Sequence, residues 1–502
     1  MRIRLILGLF LSLFSVCYMM AQDLSGKILD DDTGQPIPYA SIQFGVNNGV
    51  ISNEEGSFSI YTQKTVDSLV ISSLGYETVL LIEFGKDMEV RLKPESTELQ
   101  EVYLSDEEIS GEEIIERVMA NIGRNYDLGI NEQKFFYRKS NNQLLGLDLD
   151  LKKSSIDEIS QGLLDDISSN IPQEVGSYVE VAGTLYGDYD EQKLSIVKAA
   201  NLYNASGSEQ LEELAHQMEN IIKDNITDGS FLKIRTGLLG FKIDSEELSE
   251  GLQELESNSE SEEAPTPQEI EERELKRREY FQTSTQRSIS DLFDKMFWKE
   301  DQNLDIFSKS RRYDFHLEGY TTLDGHAVYI IDVEPKRRAD FKGKVYVNIE
   351  DYGVHRLEFE NVKNLSSFKL FGISRTEDLF SGKMIFSRNA SGKYSPAYLE
   401  QQYGARVGID RPVKIIERNR EVPGRNKQNQ LKMGIEMAIR DVSTYQFYVH
   451  ESQTFDEMSY ETLVPSTDYQ LETFEEYNSE YWEGTTIVEP NTAIRQYSTI
   501  QP

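Results

Sequence analysis

Cysteine is nearly missing: Cys17 is the only one in 502 residues. One thiol cannot close a disulfide within the chain or supply the paired thiolates of a structural zinc site. It also lies inside an apolar N-terminal run. A mature chain beginning at Gln22 would hold no cysteine and so no cysteine nucleophile. Histidine is scarce too, with five in all (His216, His316, His326, His355 and His450), and no HExxH motif joins any two of them. The chain has no GxSxG elbow, no phosphate-binding glycine loop, no dinucleotide fingerprint and no EF-hand loop. "DLDLKK" and "DDDTG" are acidic, but neither has the ligand spacing or the glycine of a calcium loop. Carboxylates are too numerous to single out a glycosidase pair. These absences point away from an enzyme, and no residue is assigned a catalytic, cofactor-binding or metal-binding role.

Positive charge is in deficit. The 52 lysines and arginines face 87 acids, for a net charge of −35. Such a chain repels nucleic acid and anionic headgroups on average. Two basic stretches stand out against that background, "PKRRADFKGK" at 335–344 and "RPVKIIERNREVPGRNKQNQLK" at 411–432. Either is a candidate for an anionic lipid headgroup or a surface polysaccharide, although cross-strand pairing with the abundant carboxylates is the simpler expectation.

The chain opens with Arg2 and Arg4, an uncharged apolar run from Leu5 to Met20, then Ala21 and Gln22. That pattern predicts a secretory signal peptide over residues 1–21. The run is shorter than the roughly 20 residues a spanning helix needs. Cleavage would remove two arginines and no acid, moving the net charge from −35 to −37. Export to the periplasm or the outer membrane is therefore expected, with peripheral membrane association as one form of it. The expected partner is an envelope protein, or a lipid or glycan, and not nucleic acid.

Residues 22–95 alternate short β runs with turn residues every eight to twelve positions, the pattern of a small all-β sandwich. Within it "GVISNEEGSFSIYT" at 49–62 reads as two strands joined by a polar turn. Phe58 and Ile60 share one face there, and Gly49 and Gly56 bracket the turn, where glycine permits positive φ. "SGKILDDDTGQPIPYASIQFGVNNGVISNEEGSFSI" followed by "SSLGYE" resembles the carboxypeptidase-regulatory-like domain, a transthyretin-like sandwich found at the N-termini of exported Bacteroidota envelope proteins. Gly26, Gly34, Pro36, Ala40, Gly49, Ser52, Gly56, Phe58, Gly75 and Tyr76 carry the resemblance. In carboxypeptidases this module stands beside the zinc enzyme, so the resemblance implies a fold and not peptidase activity.

The remainder predicts a larger α+β domain with an extended curved antiparallel sheet. "STELQEVYLSD" reads as the exit strand of the sandwich. "SGEEIIERVMANIGRNYD" follows as an amphipathic helix capped by Ser110, with Ile114, Ile115, Val118 and Ile122 on one face. Residues 96–243 hold helices and first strands, including helical candidates at 152–170 and 208–225. Residues 244–284 are an acidic, largely disordered insertion ending in a charged helix. Residues 285–450 carry the clearest period-2 pattern, with hairpin signals at Asp324–Gly325 and Asp351–Gly353. His316 and His326 flank the first of these hairpins, which is the one metal geometry the histidines offer, and both read more simply as surface histidines of a sheet. Residues 451–502 form a C-terminal tail in which Trp482 is a packing anchor.

The hairpin wording at 313–362 also resembles the half-open barrel of lipoprotein-carrier proteins, in which a helix lids an apolar concave face. That resemblance implies an apolar-ligand carrier, with Val328 and Ile330 lining the sheet under helix 112–122. The leading expectation is a non-enzymatic exported envelope protein that binds or positions a partner. A metallocarboxypeptidase is the least supported alternative.

Overall fold

A computed structural model describes residues 22–45, 48–62, 64–95, 109–203, 229–237, 239–244, 266–299, 304–323, 325–389, 391–419 and 426–497, with 216–217, 220–221 and 223–226. The expected signal peptide, the exit strand at 96–106, the acidic stretch 245–265 and most of the helical candidate at 208–225 lie outside these residues. The chain divides into two compact units. One takes in the residues up to 96 together with 322–325 and 478–491, and the other takes in the rest.

The first unit is a two-sheet β-sandwich. β1 (Gln22–Asp30) lies between β4 (Ser57–Thr62) and β7 (Met88–Leu92), antiparallel to the former and parallel to the latter. The second sheet runs β3 (Asn48–Ile51), β2 (Ser41–Gly45), β5 (Leu69–Ser72), β6 (Val79–Leu81). The expected 49–62 hairpin is therefore not a hairpin. β3 pairs with β2 and β4 pairs with β1, so the turn between them hands the chain from one sheet to the other. Asn53 shapes this step: its Oδ1 accepts from the N–H groups of Glu55 and Ser57, while its own N–H donates to the Ser57 carbonyl and its carbonyl accepts from the Gly56 N–H. Gly56 has φ of +74°, as expected, whereas Gly49 is an ordinary strand residue opposite Gln43. Phe58 and Ile60 are fully buried, on the face the alternation predicts.

Residues 478–491, expected as part of a separate tail, complete this sandwich. The Asn53 amide donates to the carbonyls of Glu489 and Pro490, and Thr486 donates to the carbonyl of Tyr61. Trp482, Ile487 and Val488 are buried there.

The second unit is a helix-covered sheet. Its strands run in the order β14 (His326–Pro335), β15 (Phe341–Asn348), β16 (Val354–Asn361), β18 (Ile373–Arg388), β19 (Tyr394–Asn419), β20 (Lys427–Thr454), β8 (Asn131–Ser154), β9 (Glu174–Gly187), β10 (Gln192–Tyr203) and β21 (Gln470–Phe474). All neighbours are antiparallel except β10 and β21. β13 (Tyr313–Leu323) precedes β14 in the chain. Two outer hairpins lie along the same edge of β19: β17 (Ser366–Leu370) with β18, and β11 (Ser230–Thr236) with β12 (Leu239–Asp244).

β19 absorbs two runs that the sequence separates around Arg411 and Pro412. The Asp410 N–H donates to the carbonyl of Gly372, so the N–H edge at 410 and 412 faces the gap between β18 and β11. A proline missing its donor is tolerated there. The helical candidate at 152–170 is overturned in its first part. Residues 152–154 close β8, and the helix α2 (Gln161–Asn170) begins only after the Ser160 cap, whose hydroxyl accepts from the Leu163 N–H.

The helix α1 (Gly111–Asn125) forms as expected, with Ser110 accepting from the Glu113 N–H and Ile114, Ile115 and Val118 buried. The helix α3 (Pro267–Phe293) starts at a Thr266–Glu269 capping box and carries charge along its first turns. It runs past the expected end of the acidic insertion. Its last turns bury Ile289, Leu292 and Phe293, because the apolar spacing appears only after Phe281. Gln282 and Gln286 donate to the carbonyls of Leu194 and Gln192 and fasten the helix to β10.

The protein has two tryptophans, and each unit holds one, Trp298 in the α+β unit and Trp482 in the sandwich. In a Trp298→Phe background, indole fluorescence reports the sandwich alone. Because Ile487 in the same segment is 8% exposed, replacing it with Ala is expected to lower sandwich stability by about 2–3 kcal/mol. Urea titration of the Trp298→Phe chain with and without Ile487→Ala, followed by Trp482 fluorescence, checks this. A shift of only a few tenths would show that the tail is not integral to the sandwich.

Candidate functional site

Two adjacent rows of cross-strand partners define the large sheet. The first row is Ile331, Val345, Leu357, Met384, Leu399, Phe447, Tyr137, Val181 and Ala199, each directly opposite the next. Every one is at most 2% exposed. Opposite partners share a face, and successive residues of a strand point to opposite faces. The neighbouring row must therefore lie on the other side. It reads Asp332, Lys344, Glu358, Lys383, Glu400, Gln446, Arg138 and Glu180, alternating in sign but for the one glutamine. At about 4.8 Å per strand this charge ladder extends about 34 Å across eight strands.

The ladder has two unlike ends. At one end a cavity of about 610 Å³ opens over Asp332, Lys344, Glu358, Lys383 and Glu400, with Glu334, Lys342, Glu360 and Gln402 beside them. Lys344 pairs with Glu318 at 2.6 Å, Lys342 with Glu360 at 2.7 Å, and Lys383 stands 3.8 Å from Glu358. At the other end Arg138 and Glu180 are buried, 2% and 0% exposed, with Nε and Nη2 donating to Glu180 Oε1 at 2.7 and 2.6 Å. Glu180 Oε2 has no hydrogen-bond donor among the described residues. Between them Tyr398 donates to Glu400 Oε2 at 2.6 Å, and the Gln446 amide donates to both. Rigid strands thus present fixed, mostly paired charges of both signs, an arrangement suited to complementary polar recognition.

The basic stretch 335–344 follows the simpler expectation, with Lys336, Lys342 and Lys344 each meeting a carboxylate. The Asn125–Tyr126 pair at the end of α1 is a structural joint. Asn125 donates to the carbonyl of Asp351, and the Tyr126 hydroxyl accepts from the Val354 N–H at 2.8 Å. Asp351 in turn pairs with Arg388 at 2.5 Å. His355 is buried beside this joint, edge-on to Tyr394 at 5.2 Å. Burial, helped by the Arg388 charge, pushes its pKa down to about 4.

The structure does not bring His316 and His326 together. His316 Nε2 lies 3.8 Å from Glu334 and His326 Nδ1 lies 3.9 Å from Glu350, well apart along β14 and its neighbours. Among the described residues no group of three or more His, Cys, Asp or Glu is placed to hold a metal ion. The apolar face expected to hold a ligand at β14 is filled instead: Tyr329, Ile331 and Val333, not Val328 and Ile330, point into a core shared with α1 and α3.

The ten residues that carry the sandwich resemblance take structural positions. Gly34, Gly56 and Gly75 have φ of +68°, +74° and +81°. A Cβ on Gly26 would stand 2.6 Å from the Met88 carbonyl and 3.0 Å from the Phe58 ring, so glycine there lets β1 pass between them. Pro36 bridges to Leu29, Ala40 is fully buried, and Ser52 accepts from the Ala40 N–H and donates to the Ile37 carbonyl. Tyr76 donates to Asp30 Oδ2 at 2.8 Å, while Asp30 Oδ1 accepts from the Thr33 N–H at 2.7 Å. The Thr33 N–H and the Tyr76 hydroxyl hold the Asp30 carboxyl below its usual range, and burial, with Asp30 alongside, pushes the Tyr76 phenol up to about 12. These contacts brace turns and present no open site.

Residues 24–104 match the family model of the CarboxypepD_reg-like domain. This regulatory-like domain is a non-catalytic accessory module, and the match covers all but the first residues of β1–β7. No curated protein matches the chain. Among solved structures, a LolA superfamily protein from Nitrosomonas europaea is similar at 7% identity, covering 70% of this chain and 95% of its own, with a TM-score of 0.17. The MucA/MucB complex of Pseudomonas aeruginosa is similar at 7% identity, covering 65% and 93%, with a TM-score of 0.16. At those scores neither likeness carries an inference.

The buried charges of the α+β unit make its stability sensitive to pH and to substitution. His355 is neutral in the fold and has an ordinary pKa near 6.5 when unfolded. The unfolded chain therefore binds the extra proton between pH 6.5 and 4, and the stability His355 allows at neutral pH is lost as pH falls through that window, by about 3 kcal/mol. The stability of the protein minus that of His355→Gln, from urea titrations at pH 7 and pH 4.5, is expected to shrink on acidification; parallel curves would refute it. Removing one partner of the buried pair, Arg138→Met or Glu180→Leu, is expected to cost about 3–5 kcal/mol, and the double replacement much less than the sum. A double-mutant cycle in urea measures the difference, and additivity would mean the two side chains act independently.

Proposed function

We propose that the protein is a non-enzymatic component of the cell envelope, exported after removal of residues 1–21, which holds a polar partner on the charge ladder of its α+β unit. The regulatory-like domain serves as its accessory module. The observation that carries this reading is the cavity over Asp332, Lys344, Glu358, Lys383 and Glu400. Its charges are set on neighbouring strands of one sheet, close to oppositely charged neighbours. Such a surface recognises a partner by charge pattern, and a protein or a glycan with alternating polar groups fits it.

An apolar-ligand carrier is a second reading, but at a different place from the one the sequence indicates. Beyond the helix-covered core, Ile409, Met437 and Leu147 form one cross-strand row, and Ile435 and Leu149 belong to the next, all partly exposed on one face. A fluorescent fatty acid displaced by Met437→Glu would support that reading.

Photo-crosslinking in the native cell tests the first. A benzophenone side chain at Gln402, in the cavity, is expected to trap a discrete partner that the same group at Asp165, exposed on α2, does not. Identical patterns from both positions would defeat the proposal. Fractionation of the same cells is expected to place a chain beginning at Gln22 in the envelope, and an intact chain in the cytoplasm would end the exported reading.

A further inference from the structure

The second basic stretch does not follow the first. Lys414 on β19 is directly opposite Arg235 on β11 and Lys432 on β20, and Lys432 is opposite Lys153 on β8. Four cations therefore stand side by side across four strands, on the face that carries the ladder. Like charges directly opposite one another are destabilising. None of the four has an ion pair among the described residues, in a chain with 87 acids. Two carboxylates on these neighbouring strands are already occupied, Asp150 by Lys152 and Asp244 by Lys242. Arg235 and Lys153 are exposed, and the two central lysines partly so.

The hairpins outside this row carry the reverse anomaly. At the β17–β18 turn, Phe371 and Gly372 both have positive φ, +49° and +76°. Such a two-residue turn normally takes Asn, Asp or Gly at its first position, and a bulky aromatic there is strained. Phe371 is nonetheless 59% exposed, and Phe368, Leu370 and Ile373 around it are 54%, 49% and 38% exposed. Phe241 on β12 is 53% exposed along the same edge of β19. Arg411 joins the two hairpin tips by donating to the Thr236 carbonyl at 3.2 Å, while the Asp410 N–H donates to the Gly372 carbonyl. The apolar tip and the cation row are thus parts of one end of the sheet.

We propose that this end of the sheet docks on an anionic lipid surface, with Phe371 and its apolar neighbours at the acyl boundary and the Arg235–Lys414–Lys432–Lys153 row at the headgroup phosphates. Charge alone would serve any polyanion, and exposed apolar residues alone any apolar partner. Their coincidence fits the bilayer interface, which offers anionic groups and hydrocarbon within a few ångströms. This surface is distinct from the cavity on the ladder, so vesicle docking and partner crosslinking can succeed or fail separately.

Sedimentation of the chain Gln22–Pro502 with vesicles tests it. Binding is expected to phosphatidylcholine vesicles containing phosphatidylglycerol and not to phosphatidylcholine alone. Lys414→Gln with Lys432→Gln is expected to weaken it roughly 30-fold, and Phe371→Ser about tenfold. Both variants change partly or fully exposed positions, and the first relieves like-charge repulsion. A melting temperature equal to or above that of the parent chain therefore separates a docking defect from a folding defect. Absence of binding, equal binding to both vesicles, or double-lysine variant binding as strong as the parent's would overturn the proposal. So would equal affinity for soluble polyglutamate with no effect of Phe371→Ser, an outcome that assigns the row to a polyanion.

Discussion

Everything in the α+β unit depends on the register of its central strands. The long antiparallel pairing of β19 with β20, and of β20 with β8, sets which residues fall in the all-apolar row and which in the charged row one position away. A slip of one residue would exchange the two faces, moving Leu399, Phe447 and Tyr137 into the polar row and driving Glu400, Gln446 and Arg138 under the helices. The cost of burying those unpaired charges far exceeds anything the shifted ladder of hydrogen bonds could return. The charge ladder is thus a device of folding specificity, because it forbids the wrong register.

Bulges mark where that register yields. The shift between Ile416 and Arg418 and the shift between Lys432 and Met433 flank the cation row, at the end of the sheet where core helices no longer impose a face. There the apolar side is only partly covered and the polar side gathers like charges. The core end is fixed by burial, while the free end keeps charges and apolar groups that folding alone does not require.

Much of the architecture is legible in the chain. Period-2 alternation finds the strands of the sandwich and of the β13–β16 region, and the Ser110 cap with its apolar stripe finds α1. The departures have identifiable causes. Residues 49–62 read as a hairpin because alternation reports strand type and not strand partner, and the Asn53 side chain that turns the chain between sheets has no distinct signature. Residues 152–170 read as wholly helical because Ile156, Ile159, Leu163 and Ile167 fit a helical stripe, although Lys152–Ser154 belong to β8. The ladder is invisible in the sequence, since each of its members is one charge in a different strand. Only pairing reveals that Glu358 meets Lys383 on one side and Lys344 on the other, or that Lys414 is flanked by cations.

The closure of the sandwich by residues 478–491 has a consequence for how the protein is made. Its strands precede nearly all of the second unit in the chain, whereas Trp482 and the carbonyls that hold Asn53 follow it. A ribosome delivering the chain from its N-terminal side cannot complete the first unit until nearly all of the second has emerged. A stop just before residue 478 would therefore leave the first unit incomplete, far along the chain from that unit's own strands.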